Sequence, residues 1–135
     1  MGPQDILIGY VKAQRGKPFA IGVHDCFTFT NGAWAAMHGR GYADQIMGKY
    51  ADLGQKQLAR LLFDNFGTPS MIDALDAGLT RVNSFPPKGA LVVMRSERPY
   101  FTGYAFGLAM GVTAVFLGDS DVIYLPIEQI EGAWV

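Results

Sequence analysis

Residues 25–39 read Asp-Cys-Phe-Thr-Phe-Thr-Asn-Gly-Ala-Trp-Ala-Ala-Met-His-Gly, and they decide the first half of the fold. Asp25 is a residue type that caps helix starts, and Gly39 is typical of a helix end. Apolar and small side chains recur between them at helical spacing, so the sequence predicts a helix from about Asp25 to His38. Cys26 then lies in the first turn of this helix. The recurring residues are Phe27, Thr30, Trp34 and Met37.

The patterns on either side of this helix predict the remaining elements. Helical patterns occupy residues 5–14, with Asp5 as the expected N-cap, and residues 52–66 and 70–77. Beyond Gly78 the pattern changes to short β-prone runs separated by turns. We predict strands at 79–83, 91–95, 106–110, 112–117 and 122–125, and a short turn of helix or strand at 127–130. Helices followed by strands predict one α+β domain over residues 1–135, with helices packed on an antiparallel sheet.

The composition excludes several classes of function. The net charge is −1 and no run of Lys or Arg is present, which argues against binding to nucleic acid or to an anionic membrane surface. The N-terminus lacks the features of a signal peptide, and the longest apolar stretch is too short to span a bilayer. We therefore expect a soluble protein made in a cytoplasm. Only 17% of residues are charged, which fits either a surface covered by a partner or a well-filled core.

The single cysteine, Cys26, is the residue with the clearest chemical potential. A lone cysteine forms neither an internal disulfide nor a cysteine-based metal site, so we expect no metal and no cofactor. A helix start favours the thiolate, which is the nucleophilic form, whereas a buried cysteine is inert. Two histidines are present as candidate bases. His24 is the weak alternative, because it lies two residues from Cys26, whereas His38 lies roughly 18 Å away along the helix.

Three sequence blocks carry a resemblance to a known family. Residues 18–29 read Pro-Phe-Ala-Ile-Gly-Val-His-Asp-Cys-Phe-Thr-Phe, residues 87–94 read Pro-Lys-Gly-Ala-Leu-Val-Val-Met, and residues 105–111 read Ala-Phe-Gly-Leu-Ala-Met-Gly. In this order they resemble the landmarks of the NlpC-type, papain-like cell-wall peptidases. The chain also ends Gly-Ala-Trp-Val, which is similar to compact members of that family found in phage tail tips. The resemblance implies a papain-like fold with Cys26 as the nucleophile.

The sequence also departs from the family pattern at positions that matter for catalysis. Ala105 stands where the family has its catalytic histidine, and Ala90 stands where it usually has an aspartate. The polar residue that orients the family's histidine has no clear match in residues 113–118. The standard Cys-His dyad is therefore absent, and Cys26 is either a vestigial nucleophile or one that uses another base.

Three functions remain open at this point. The first is a structural or assembly protein of a phage tail tip or baseplate with a degenerate peptidase fold, located in the virion tail. Its expected partners are other tail-tip or hub proteins, and the contact surfaces are expected at residues 95–104 or 132–135. The second is an active cysteine peptidase or amidase that cleaves peptidoglycan peptides during DNA entry. The third is an unrelated small α+β binding protein.

Overall fold

The computed structural model describes residues 2–96 and 103–135, and these form four α-helices, two 3-10 turns and a five-stranded sheet. The helices come first, followed by the strands, as the sequence predicted. The helices are α1 (Pro3–Gln14), α2 (Cys26–His38), α3 (Gln55–Phe66) and α4 (Met71–Gly78). The strands are β1 (Leu91–Arg95), β2 (Tyr104–Ala109), β3 (Thr113–Leu117), β4 (Val122–Pro126) and β5 (Gly132–Trp134). The 3-10 turns are Asp44–Ile46 and Ile127–Gln129.

The strand order in the sheet is β4-β3-β2-β1-β5, and every neighbouring pair is antiparallel. Short connections join β1 to β4 in sequence order, while β5 returns to the other side of β1. The predicted class, α+β with helices on an antiparallel sheet, is confirmed. The expectation that Cys26 opens a buried helix on a sheet of at least four strands is also confirmed.

Helix α2 lies between α1 and the sheet, and this position explains why it is apolar on more than one face. Phe27 and Trp34 belong to a core formed with α3, α4 and the sheet, whereas Phe29 and Ala33 pack with Leu7 of α1. The Asp25 side chain accepts a hydrogen bond from the Thr28 backbone N–H, which fixes the start of the helix. Gly39 ends the helix with φ 88°, in the left-handed region that favours glycine.

The opposite face of the sheet has its own apolar layer. Alternate strand residues, including Val92, Ala114 and Phe116, point away from the helices and pack with Ile127. Because small residues dominate this layer, the 3-10 turn at Ile127–Gln129 and its neighbours can approach the sheet closely. Both faces of the central strands are therefore buried.

The C-terminal segment is a part of the sheet that the sequence analysis did not identify. Strand β5 pairs with β1, and the Trp134 ring is fully buried. Its indole N–H donates to Asp76 at 2.9 Å, and the Arg81 guanidinium lies 4.9 Å from its ring centre. The tail at residues 132–135 was one of two segments expected to contact a partner; within this domain its Trp134 side chain is buried and its Val135 side chain is exposed.

One predicted helix cap and one predicted strand were wrong. The N-cap of α1 is Gly2 and not Asp5, because Pro3 occupies the first helical turn, a position that suits proline. Residues 79–83 form no regular strand. Thr80 exchanges two backbone hydrogen bonds with Val135, and Arg81 makes an isolated bridge with Trp134. This short contact covers the outer edge of β5 without extending into a ladder.

Strands β2 and β3 separate at one end, and this separation creates the site described next. Strand β2 pairs with β1 along five positions, but with β3 only at Leu108–Val115 and Ala109–Ala114. At Gly107 the β2 backbone meets the Phe116 ring, and residues 104–106 have no partner in β3. The strand ends diverge from there toward the start of α2.

Candidate functional site

A cleft of about 340 Å³ lies where β2 and β3 separate, and Cys26 lines it. Ala105, on β2, lines the same cleft. The structure thus brings together the two positions at which the family resemblance implies a nucleophile and its histidine. The other walls are mostly apolar, and the polar side chains that line the cleft are those of Arg95, Ser96, Tyr104 and Asp119.

The sulfur of Cys26 interacts with the backbone of β2. Along β2, the hydrogen bonds to β1 involve residues 103, 105, 107 and 109, so the N–H of Phe106 points toward β3. Strand β3 no longer pairs with β2 at this level, although it stays paired with β4, and the Cys26 sulfur accepts a hydrogen bond from the Phe106 backbone instead. The backbone N–H groups of Cys26 and Phe27 at the helix start also interact with the sulfur. The thiol therefore satisfies a buried strand donor that lacks a strand partner.

Burial outweighs these interactions in setting the protonation state of Cys26. The side chain is only 8% exposed, and this burial raises the pKa of the thiol to about 12. The three backbone interactions lower the pKa, whereas the nearby Asp25 carboxylate raises it further. At neutral pH the side chain is therefore a neutral thiol. A helix N-terminus by itself would favour the thiolate, but burial has the larger effect here. A nucleophilic role would require a base to remove the proton.

Asp25 is the centre of a buried hydrogen-bond network beneath Cys26. Its fully buried carboxylate accepts from the backbone N–H groups of Gly22 at 2.6 Å and Thr28 at 2.9 Å. The Tyr50 hydroxyl donates to both carboxylate oxygens, at 2.8 and 2.7 Å. Burial and this contact with Asp25 raise the pKa of Tyr50. The network fixes the connector before α2 and thereby the position of Cys26.

Neither histidine is among the residues that line the Cys26 cleft. His24 forms a bridge with Ala20, and its buried Nε2 atom has no hydrogen-bond partner among the described residues. Burial and Lys17 lower the pKa of His24, and Asp25 opposes them, whereas the cleft lining does not include this histidine. His38 lies at the far end of α2 with its ring 4.7 Å from that of Trp34.

Asp119 is a cleft residue whose role the sequence analysis did not identify. It follows β3, and its backbone carbonyl accepts from the Phe19 N–H at 2.8 Å, which holds the connector before α2 against the turn between β3 and β4. Its neighbour Asp121 accepts from the backbone N–H groups of Gly16 and Val122, and it pairs with Arg15 at 3.6 Å. Within the described ranges 2–96 and 103–135, no cluster of His, Cys, Asp and Glu could hold a metal ion. A carboxylate two residues after a strand that lines a cleft is the signal that could have identified Asp119.

We expect Cys26 to resist alkylation while the protein is folded. With a pKa of about 12 in place of 9.0, its thiolate fraction at pH 8 is lower by about a factor of a thousand. Iodoacetamide should therefore modify the folded protein about two to three orders of magnitude more slowly than the same protein in urea. The rate in the folded state should keep rising between pH 8 and 11 without a plateau. Mass spectrometry measures both rates, and equal rates would show that the thiol is exposed or activated.

None of the described helices is long and apolar enough to cross a membrane. Comparison with the curated proteins finds no match for the chain. A family model described as a domain of unknown function, DUF6950, matches residues 4–135. This match spans the helices, the whole sheet and both sides of the cleft, so the chain belongs to the DUF6950 family.

Proposed function

We propose that this protein is a structural or assembly component of a phage tail tip or baseplate, built on an NlpC-type, papain-like domain that has lost its peptidase activity. One observation carries the loss of activity: Cys26 and Ala105 line the same cleft. The resemblance pairs these two positions as nucleophile and histidine, and an alanine side chain cannot accept a proton. The high pKa of the thiol supports the same conclusion.

The phage tail assignment rests on the ordered sequence blocks and on the Gly-Ala-Trp-Val terminus. The antiparallel sheet with a cysteine at the start of a buried helix agrees with the papain-like arrangement. The partners proposed are other tail-tip or hub proteins. Of the two segments expected to contact them, residues 97–102 of the loop lie outside the described residues. The domain is proposed to act through its surfaces and not through the cleft.

The second candidate function is an active cysteine peptidase or amidase on peptidoglycan peptides. The observation that favours it is the set of backbone interactions around the sulfur, which would stabilise a thiolate once a proton is removed. Asp119, a residue with a carboxylate side chain, also lines the same cleft. This candidate requires a base that the papain-like register does not supply.

We expect the purified protein to release no muropeptides from peptidoglycan above the level of its Cys26→Ser variant. Loss of a member of a catalytic triad costs about three to four orders of magnitude or more in rate, which places any residual activity below detection. Chromatography of the digested peptidoglycan measures release, with an active cell-wall peptidase as the positive control. His24→Ala and Asp119→Asn variants are prepared in parallel.

Robust release that disappears in Cys26→Ser would overturn the inactive assignment. The two parallel variants would then identify whether His24 or Asp119 supplies the base.

The structural role is tested in the phage or prophage that encodes the chain. Mass spectrometry of purified particles should detect the protein, and Cys26→Ser should leave infectivity unchanged. Absence of the protein from particles would reject the tail assignment.

A further inference from the structure

The first part of the connector between α1 and α2 borders the Cys26 cleft as an exposed strap. We use this name for residues 15–19, Arg-Gly-Lys-Pro-Phe, which follow the last residue of α1. Residues 15–18 are exposed, whereas Phe19 is half-buried and lines the cleft together with Cys26. The strap therefore supplies part of one wall of the cleft while most of its own side chains remain in solvent.

The strap is held to the turn between β3 and β4. The Gly16 backbone N–H donates to the Asp121 carboxylate at 2.9 Å, and the Arg15 guanidinium lies 3.6 Å from the same carboxylate, both at the exposed surface. The Phe19 backbone N–H donates to the Asp119 carbonyl oxygen at 2.8 Å. Exposed hydrogen bonds and ion pairs contribute little to stability, because water competes for both partners. These contacts, which we call the latch, can therefore separate at a small cost in free energy.

The two ends of the strap differ in how firmly they are fixed. Near its start, Gly16 has φ 74°, in the left-handed region, and a Cβ atom added there would meet no atom within 4 Å. After the strap, residues 20–24 form a hydrogen-bonded turn. The buried carboxylate of Asp25 accepts from the Gly22 N–H at 2.6 Å and anchors this turn. The strap therefore has a sterically open hinge at Gly16 and a fixed end at the turn.

We propose that the strap opens as a unit, with Gly16 as its hinge and Asp121 as its latch, and that this opening controls the access of solutes to the Cys26 cleft. Segments with little buried apolar surface and with hydrogen bonds at the protein surface open locally, at a free energy well below that of global unfolding. The strap meets both conditions, whereas the start of α2 is held by the buried network of Asp25. Opening withdraws the Phe19 side chain from the cleft and leaves α2 and the sheet in place. The inference concerns the connector, and it stands whether or not the cleft has activity.

Amide hydrogen exchange of the full chain, followed by NMR at several urea concentrations below the unfolding transition, measures the opening. We expect the Gly16 and Phe19 amides to exchange with equal opening free energies that hardly depend on urea, because the strap exposes little surface when it opens. The amide of Val92, which is fully buried in β1, should exchange with the full urea dependence of global unfolding. If the Phe19 amide showed the urea dependence of Val92, the strap would not open by itself and the proposal would be wrong.

Modification of Cys26 by iodoacetamide at pH 8 measures access to the cleft, and two glycine variants separate the strap from overall stability. Gly16→Ala strains the latched conformation, so we expect about fivefold faster exchange of the Phe19 amide and about fivefold faster modification of Cys26. Gly67→Ala is the matched control, because Gly67 has φ 77° and equally open surroundings but lies at the end of α3. Urea denaturation should show similar losses of global stability in both variants, while only Gly16→Ala accelerates the two rates in the absence of urea.

Asp121→Ala removes the carboxylate of the latch, and we expect it to accelerate both rates by about fivefold to tenfold. Asp64→Ala is its control, because it removes an exposed carboxylate paired with Arg60 on α3, and it should change both rates by less than about twofold. Equal acceleration in Gly16→Ala and Gly67→Ala, or none in Asp121→Ala, would refute the strap. Faster exchange of the Phe19 amide with unchanged modification of Cys26 would refute its control of the cleft.

Discussion

Replacing Gly107 with valine should severely destabilise the domain. A Cβ atom at this position would contact the Val115 carbonyl oxygen and lie 2.7 Å from two carbons of the Phe116 ring. The Phe116 ring is itself buried and cannot move away without opening the layer behind the sheet. Overpacking a core costs about 1–3 kcal/mol, and a clash with strand backbone belongs at or above the top of that range. The substitution would therefore disrupt the last contact between β2 and β3 before the two strands separate.

Urea denaturation followed by circular dichroism measures this effect, and Gly107→Ala provides the graded variant if Gly107→Val is insoluble. We expect Gly107→Ala to lower the free energy of unfolding by about 2–3 kcal/mol. Gly9→Ala on α1 is the matched control, because its added Cβ meets no atom within 4 Å. That change should stabilise the protein by roughly 0.5–1 kcal/mol. A Gly107→Val protein as stable as wild type would mean that β2 and β3 do not approach as described.

Replacing Asp25 with alanine should cause the second-largest loss of stability. The change leaves the N–H groups of Gly22 and Thr28 and the hydroxyl of Tyr50 without their acceptor in a buried site. Each buried polar group without a partner costs about 1–3 kcal/mol. Since α2 also loses its N-cap, we expect the free energy of unfolding to fall by about 4 kcal/mol.

Ser70→Ala separates the effect of capping from that of burial. Ser70 is the N-cap of α4, and its hydroxyl accepts from the Asp73 backbone N–H at the protein surface. Its loss should cost about 1 kcal/mol, the usual value for a cap. Tyr50→Phe removes one donor and keeps the carboxylate, so its cost should fall between the two. If Asp25→Ala cost no more than Ser70→Ala, the buried network would contribute little to stability.

The part of the fold that the sequence predicts best is the part set by local signals. Asp25 and Gly39 fix both ends of α2, because capping side chains and left-handed glycines act within a few residues. Strand β5 was missed because its three residues are held by β1, about forty positions earlier in the chain. No local pattern encodes such a pairing. The sequence analysis instead expected the tail at residues 132–135 to contact a partner protein.

The candidate site shows a similar division between what the sequence predicts and what it cannot. The convergence of Cys26 and Ala105 on one cleft was anticipated from the order of the sequence blocks. The pKa of Cys26 was not, because burial depends on how β2 and α2 pack, and no helix start reveals that packing. The presence of Asp119 in the cleft was not predicted for the same reason. Its position depends on where the turn between β3 and β4 meets the connector before α2.

The outer strand β4 has a consequence for behaviour at high local concentration. Its N–H groups at residues 122, 124 and 126 point away from β3, as the bonds from Gly118 to Asp121 and from Ile127 to Val112 indicate. The Asp121 side chain occupies the Val122 N–H, and Pro126 has none, so only Tyr124 offers a donor outward. The carbonyl groups of residues 122, 124 and 126 also point outward, so an added strand would find three acceptors but a single donor. This shortage of donors makes the edge a poorer template for a second chain when many copies are held close together.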